Sequence, residues 1–268
     1  MDAFAHPMVD AALALVVGVV LGLLGGGGSI LALPIFLHVF GIPVKSAVPM
    51  SLVVVGMSAL VGFAGHWRQG TVSLRIAGLF GGCAMLGSFG AARLAHRVPG
   101  EVQLGLFSAF AMAAAVMMLR DARRPPAAAG AVPEATGADG GGAAPRPGLA
   151  FVLQAVGVGA LTALIGAGGG FLIVPTLVLL ARVPTRQAIG SSLLIIAMNA
   201  ASGVAGYAGT VPIAWGIVGP FTAVASVGAL AGTRLSRHVP QRRLKQAFAA
   251  MILVLGAYFL LRRLHVLP

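Results

Sequence analysis

The sequence has 268 residues, 58% of them hydrophobic and only 9% charged, against about half and a quarter in ordinary soluble domains. That excludes a water-soluble globular fold. The net charge of +12 does not point to nucleic acid either, because the 18 basic residues fall between or beside apolar runs, where they read as membrane-flanking anchors.

Taken in order, the runs Ala11–Leu24, Ala47–Ala64, Ile76–Ala92, Leu104–Leu119, Leu149–Ile165, Ile189–Val204, Ile213–Ala231 and Ala247–Leu261 contain no Lys, Arg, Asp or Glu. Most approach the length a helix needs to cross a hydrocarbon core of about 30 Å. The first Lys or Arg is Lys45, so the first run lacks the basic region of a signal peptide and is read as retained. Between the fourth and fifth runs, residues 120–148 carry Arg-Arg-Pro-Pro near their start and continue rich in Ala, Gly and Pro, a flexible linker by composition. It separates a first transmembrane repeat, 1–119, from a second, 149–268.

The halves repeat at a constant offset of 141. Leu24-Gly25-Gly26-Gly27-Gly28-Ser29 with Pro34 matches Ile165-Gly166-Ala167-Gly168-Gly169-Gly170 with Pro175. Further on, Pro43 pairs with Pro184, Ser51 with Ser192, Gly62 with Gly203, Gly65 with Gly206 and Arg93 with Arg234. Pseudosymmetric halves are how many carriers build two related access states. If each half changes orientation, one face of the membrane receives 13 of the 18 basic residues, the linker included, whereas four crossings per half divide them 8 against 10 and leave no orientation signal. The positive-inside rule then makes the linker cytoplasmic and the repeats inverted.

Each glycine cluster interrupts an apolar run. One interior glycine costs about 1 kcal/mol of helix stability relative to alanine, so four or five together should break the helix, with Pro34 and Pro175 as helix-break prolines. Broken backbone survives at membrane depth only inside protein or beside a watery cavity. The free N–H groups opening the next helical leg favour an anion. The pairs Gly18-x-x-x-Gly22, Gly78-x-x-x-Gly82 and Gly228-x-x-x-Gly232 read instead as helix-packing sites. The substrate-binding set is therefore Gly25, Gly26, Gly27, Gly28, Ser29, Ser51, Gly166, Gly168, Gly169, Gly170, Ser192 and Asn199. Ser58 matches Asn199 in the repeat. Hydroxyls and amides at such positions either donate to a bound oxyanion or bond neighbouring helices.

His66, Trp67 and Tyr207 fall at helix ends and read as interfacial anchors, and His38 reads as structural. The acidic residues Asp2, Asp10, Glu101, Asp121, Glu134 and Asp139 lie at the terminus, in loops or in the linker. With no carboxylate at mid-membrane, the substrate reads as an anion. There is no P-loop ending, CxxC, HExxH or Gly-x-Ser-x-Gly elbow, so the expectation is no enzyme, no metal and no cofactor.

The doubled glycine element with its Pro34/Pro175, Pro43/Pro184 and Ser51/Ser192 companions resembles the sulfite exporter TauE/SafE family, over the whole chain apart from the linker. The resemblance implies an inner-membrane carrier of sulfite, sulfonates or other small organic anions. The expectation is thus an all-α integral membrane bundle of two inverted repeats with glycine-broken first helices, lying in the lipid bilayer of a bacterial inner membrane. Its partner is a small anionic solute; homo-oligomer formation stays open. The alternatives are a structural or assembly subunit whose glycines only pack, and an ion-coupled uptake carrier of the same fold.

Overall fold

The computed structural model describes residues 7–26, 28–123, 149–166, 170–179 and 185–236. Among these the elements are helical: α1 (Pro7–Leu24), α2 (Ser29–His38), α3 (Val44–Trp67), α4 (Leu74–Leu94), a 3₁₀ turn (Ala95–Arg97) and α5 (Gly100–Arg123) in the first half. The second half contributes α6 (Leu149–Ile165), α7 (Gly170–Leu179), α8 (Thr185–Tyr207) and α9 (Trp215–Leu235). Four helices are long and apolar enough to cross a membrane, at Val44–Trp67, Leu74–Arg97, Gln187–Tyr207 and Trp215–Leu235. Helix α5 runs past the apolar stretch to Arg123, into the first residues of the expected linker. Residues 124–148 and the run Ala247–Leu261 lie outside the described residues.

The bundle is held where small residues let backbones touch. Gly18 and Gly22 of α1 lie on the backbone of Ala225 and Ala229 of α9, and Gly228 and Gly232 of α9 lie on Leu15 and Val19 of α1. At the matching positions of the other half, Gly159 of α6 lies on Ala84 of α4 and Gly87 of α4 on Val156 of α6. Without a hydrophobic force between helices in lipid, such close approach supplies the dispersion contacts that join them. The first helix of each half therefore packs on the fourth helix of the other, and neither half is a separate body. Gly78 and Gly82 do not pack, contrary to expectation: nothing lies within 4 Å of where their side chains would be. They share the outer face of α4 with exposed Leu79 and Leu86, while Ala77, Gly81, Ala84 and Gly87 form its packed face.

Contact order gives the helix directions. Gly18 then Gly22 meet Ala225 then Ala229, so α1 and α9 run parallel. His66, late in α3, approaches Gly22, late in α1, so these two are parallel as well. Between α3 and α8, Leu52 meets Gly203, Gly56 meets Ala200 and Gly62 meets Leu193, so these central helices are antiparallel. Helix α4 runs with α8: Gly81 meets Ile195, the Ser202 hydroxyl donates to the Met85 carbonyl, and Gly206 meets Ala92. One set of helices, α1, α3 and α9, thus points one way, and α4 and α8 point the other.

Helix α2 folds back along α1. Gly28 lies against the backbone of Val17 and Leu21, and the rings of Phe36 and Phe40 sit 5.3 and 6.1 Å from Phe221, near the start of α9. The end of α1, by contrast, lies further along α9, beside Ala229 and Thr233. The first broken segment is therefore a helical hairpin, with α2 returning along α1 rather than continuing it.

Candidate functional site

The chain leaves α1 at Gly25 and α6 at Gly166, both in the left-handed region with φ of 65° and 72°, a conformation glycine reaches without a Cβ penalty. The break falls at glycine in both halves. Pro34 and Pro175 lie inside α2 and α7 and so do not mark it; Pro34 removes one hydrogen bond from a helix that continues to His38. Gly27, Gly168 and Gly169 lie outside the described residues.

The two breaks meet in the protein interior. A Cβ on Gly26, whose φ is 134°, would stand 2.5 Å from the Cα of Gly170 and 2.8 Å from the Cδ1 of Ile196. Gly170 opens α7 and Gly28 precedes α2, where the Ser29 N–H donates to the Gly26 carbonyl at 3.2 Å and the Leu31 N–H to that of Gly28 at 3.1 Å. Ser29 uses its hydroxyl on the Gly26 carbonyl at 2.6 Å. The N-terminal ends of two ten-residue helices thus converge at one point. Each carries about half a positive charge, and in a low dielectric that field falls off slowly.

Ser51 and Ser192 hold these ends across the halves. The Ser51 hydroxyl lies 2.6 Å from the Gly166 carbonyl and 2.7 Å from that of Val48. At the matching positions Ser192 reaches the carbonyls of Gly25 and Ile189. Each hydroxyl has a single proton, shared between a carbonyl of its own helix and a break carbonyl of the other half, so these serines position the breaks and leave no free donor for a solute. Ser51→Ala and Ser192→Ala should each lower the thermal unfolding midpoint of the solubilised protein, by about 1–3 kcal/mol of stability for the stranded carbonyl. An unchanged midpoint in both would contradict the assignment.

Asn199 is fully buried on α8, one turn beyond Ile196, and Ser58 is fully buried at the matching place on α3. The structure therefore brings together Gly25, Gly26, Gly28, Ser29, Ser51, Gly166, Gly170 and Ser192, while Asn199 lies further along α8 on the face that carries Ser192 and Ile196. Ile196, which touches both breaks, was not legible as a site residue, since an apolar side chain in an apolar run carries no signal.

His66 and Tyr207 are not interfacial anchors. Both are buried; the His66 Nε2 lies 3.5 Å from the Gly22 carbonyl and the Tyr207 hydroxyl donates to that of Ala163 at 2.9 Å. They occupy matching positions, and each ties its central helix to the first helix of its own half. Asp10 also departs from expectation: it lies in the first turn of α1 and is buried, where a carboxylate faces the positive end of the helix. It stands at the end of that helix, far from the junction of the breaks. Among the described residues no group of His, Cys, Asp and Glu could hold a metal ion.

The family model for the sulfite exporter TauE/SafE family matches residues 11–259. The chain belongs to that family. Relatives include a probable membrane transporter protein of Xylella fastidiosa strain Temecula1, 32% identical over 92% of both chains, and its counterpart in strain 9a5c, 31% identical over the same shares. A probable membrane transporter protein of Bacillus subtilis, YdhB, is 29% identical over 38% of this chain and 42% of its own length. No solved structure matches. The four long apolar helices and the exposed Leu86, Leu153 and Val227 fit a TauE/SafE membrane transporter that meets lipid on its outer faces.

Proposed function

We propose that this TauE/SafE transporter carries small anions, with sulfite, sulfonates and related organic anions as the substrate class, and exports them across the bacterial inner membrane. The observation that carries the reading is the convergence of the α2 and α7 N-termini in the interior, with no buried carboxylate beside them among the described residues to neutralise the field. Two dipole ends without a counter-charge would repel each other, and a bound anion removes that cost.

The two halves act as inverted repeats joined by a cytoplasmic linker. Antiparallel α3 and α8, which occupy matching positions, support this, as does the matched Ser51–Gly166 and Ser192–Gly25 pairing. In such a carrier the two serine contacts become unequal when one side opens, which gives the two access states their symmetry.

Flux in proteoliposomes tests the proposal. Radiolabelled sulfite, sulfoacetate, thiosulfate and short carboxylates are the solutes to offer. The expected result is saturable flux of at least one of them and none of a size-matched cation. A subunit whose glycines serve only packing would give no flux at all, and that outcome would overturn the reading.

A further inference from the structure

Asn199 and Ser58 stand out because their burial is complete and their polar atoms have no partner among the described residues. Neither the Asn199 Oδ1 nor its Nδ2 makes a hydrogen bond, and the Ser58 hydroxyl is in the same condition. Buried polar groups are satisfied in the great majority of cases, and an orphaned carboxamide inside a membrane protein is expensive.

Their placement gives the orphans a purpose. On α8, Ser192, Ile196, Asn199 and Gly203 follow one another at helical spacing and share a face. Ser192 reaches Gly25, Ile196 touches Gly26 and Gly170, and Gly203 lies beside Ala163. Asn199 therefore sits between the contact with the residue that follows the second break and the contact with the helix that precedes it. On α3, Ser51, Val55, Ser58 and Gly62 repeat the arrangement.

We propose that Asn199, assisted by Ser58, selects oxyanions that carry a hydrogen-bond donor of their own. Such a ligand is either a singly protonated inorganic oxyanion or an organic anion bearing a hydroxyl or amino group. The inference rests on the anion-carrier reading above. The helix N-termini and the Asn199 Nδ2 are donors, and any oxyanion satisfies them. The Asn199 Oδ1 is an acceptor only. A fully deprotonated oxyanion, or an alkylsulfonate without substituents, would leave it buried and unpaired. Sites built around such a group reject the analogue that lacks the partner far more strongly than an apolar pocket rejects a missing methylene.

The test uses the full-length protein in proteoliposomes and two arms. The organic arm compares 2-hydroxyethanesulfonate with propanesulfonate, which are matched in size and charge. The inorganic arm follows sulfite flux as pH rises through its second ionisation, with thiosulfate, which keeps no proton there, as the comparator. The expected result is a preference of about tenfold in kcat/KM for the donor-bearing species in at least one arm, reduced to about threefold or less in Asn199→Leu. Should that variant fail to fold, the wild-type ratios decide. Equal flux of the matched sulfonates, together with sulfite flux that tracks thiosulfate at every pH, overturns this proposal and leaves the anion carrier standing. No saturable flux of any of these anions overturns both.

Discussion

A variant with valine at position 26 should reach the membrane and fold, with flux reduced by about a hundredfold or more. Gly26 has a φ of 134°, a region a β-branched residue avoids, and its Cβ would meet the backbone of Gly170 at 2.5 Å, where no flexible side chain can yield. The strained backbone costs about 1–3 kcal/mol and the overpacking a similar amount. Even about 3 kcal/mol, taken against closure of the junction, slows flux about a hundredfold. The same reasoning applies to Gly170, which meets Gly26 from the other side, whereas Gly27 and Gly168 lie outside the described residues. Gly82→Ala is the control, because nothing stands within 4 Å of its side-chain position, and it should transport normally. Flux is to be measured per folded molecule recovered after reconstitution. Normal flux in folded Gly26→Val would remove the breaks from the mechanism.

Flux should also rise when the compartment that holds the anion is made electrically negative, and should persist without a proton or sodium gradient. Moving one anion out of a negative interior is favourable by about 2.3 kcal/mol per 100 mV. At a factor of ten per 1.36 kcal/mol, that potential alone supports an outward gradient of about fiftyfold for a monovalent anion. Export then needs no coupling ion, in keeping with a junction beside which no buried carboxylate lies among the described residues. Asp10 is the buried carboxylate among the described residues, and it lies at the start of α1. If flux ignored voltage and required a proton gradient, export would be wrong, a coupled uptake carrier would replace it, and Asp10 would be the first residue to examine.

The offset of 141 made the matching of Gly25 with Gly166 and Ser51 with Ser192 legible before any coordinates. A repeat, however, declares equivalence and not contact. That Ser51 serves the break of the other half follows from α1 packing on α9 and α6 on α4, and long-range packing of this kind leaves no periodic trace. The break itself was legible from consecutive glycines. The return of α2 along α1 was not, because it depends on Gly28 fitting the α1 backbone at Leu21. The pairs Gly18–Gly22 and Gly78–Gly82 have identical spacing and opposite surroundings, since only the first faces another helix. Taken singly, His66 and Tyr207 have the sequence signature of helix-end aromatics. Their equivalence, also 141 apart, was the available sign that both do the same buried work.

The measurement that most directly tests the central claim is a structure of the full-length protein with selenite, a heavy-atom analogue of sulfite, located by its anomalous signal. The account predicts a peak within hydrogen-bonding distance of the first-turn N–H groups of α2 and α7, beside Asn199. A signal confined to the basic residues at the membrane surface, or an empty junction at selenite concentrations that saturate flux, would contradict it.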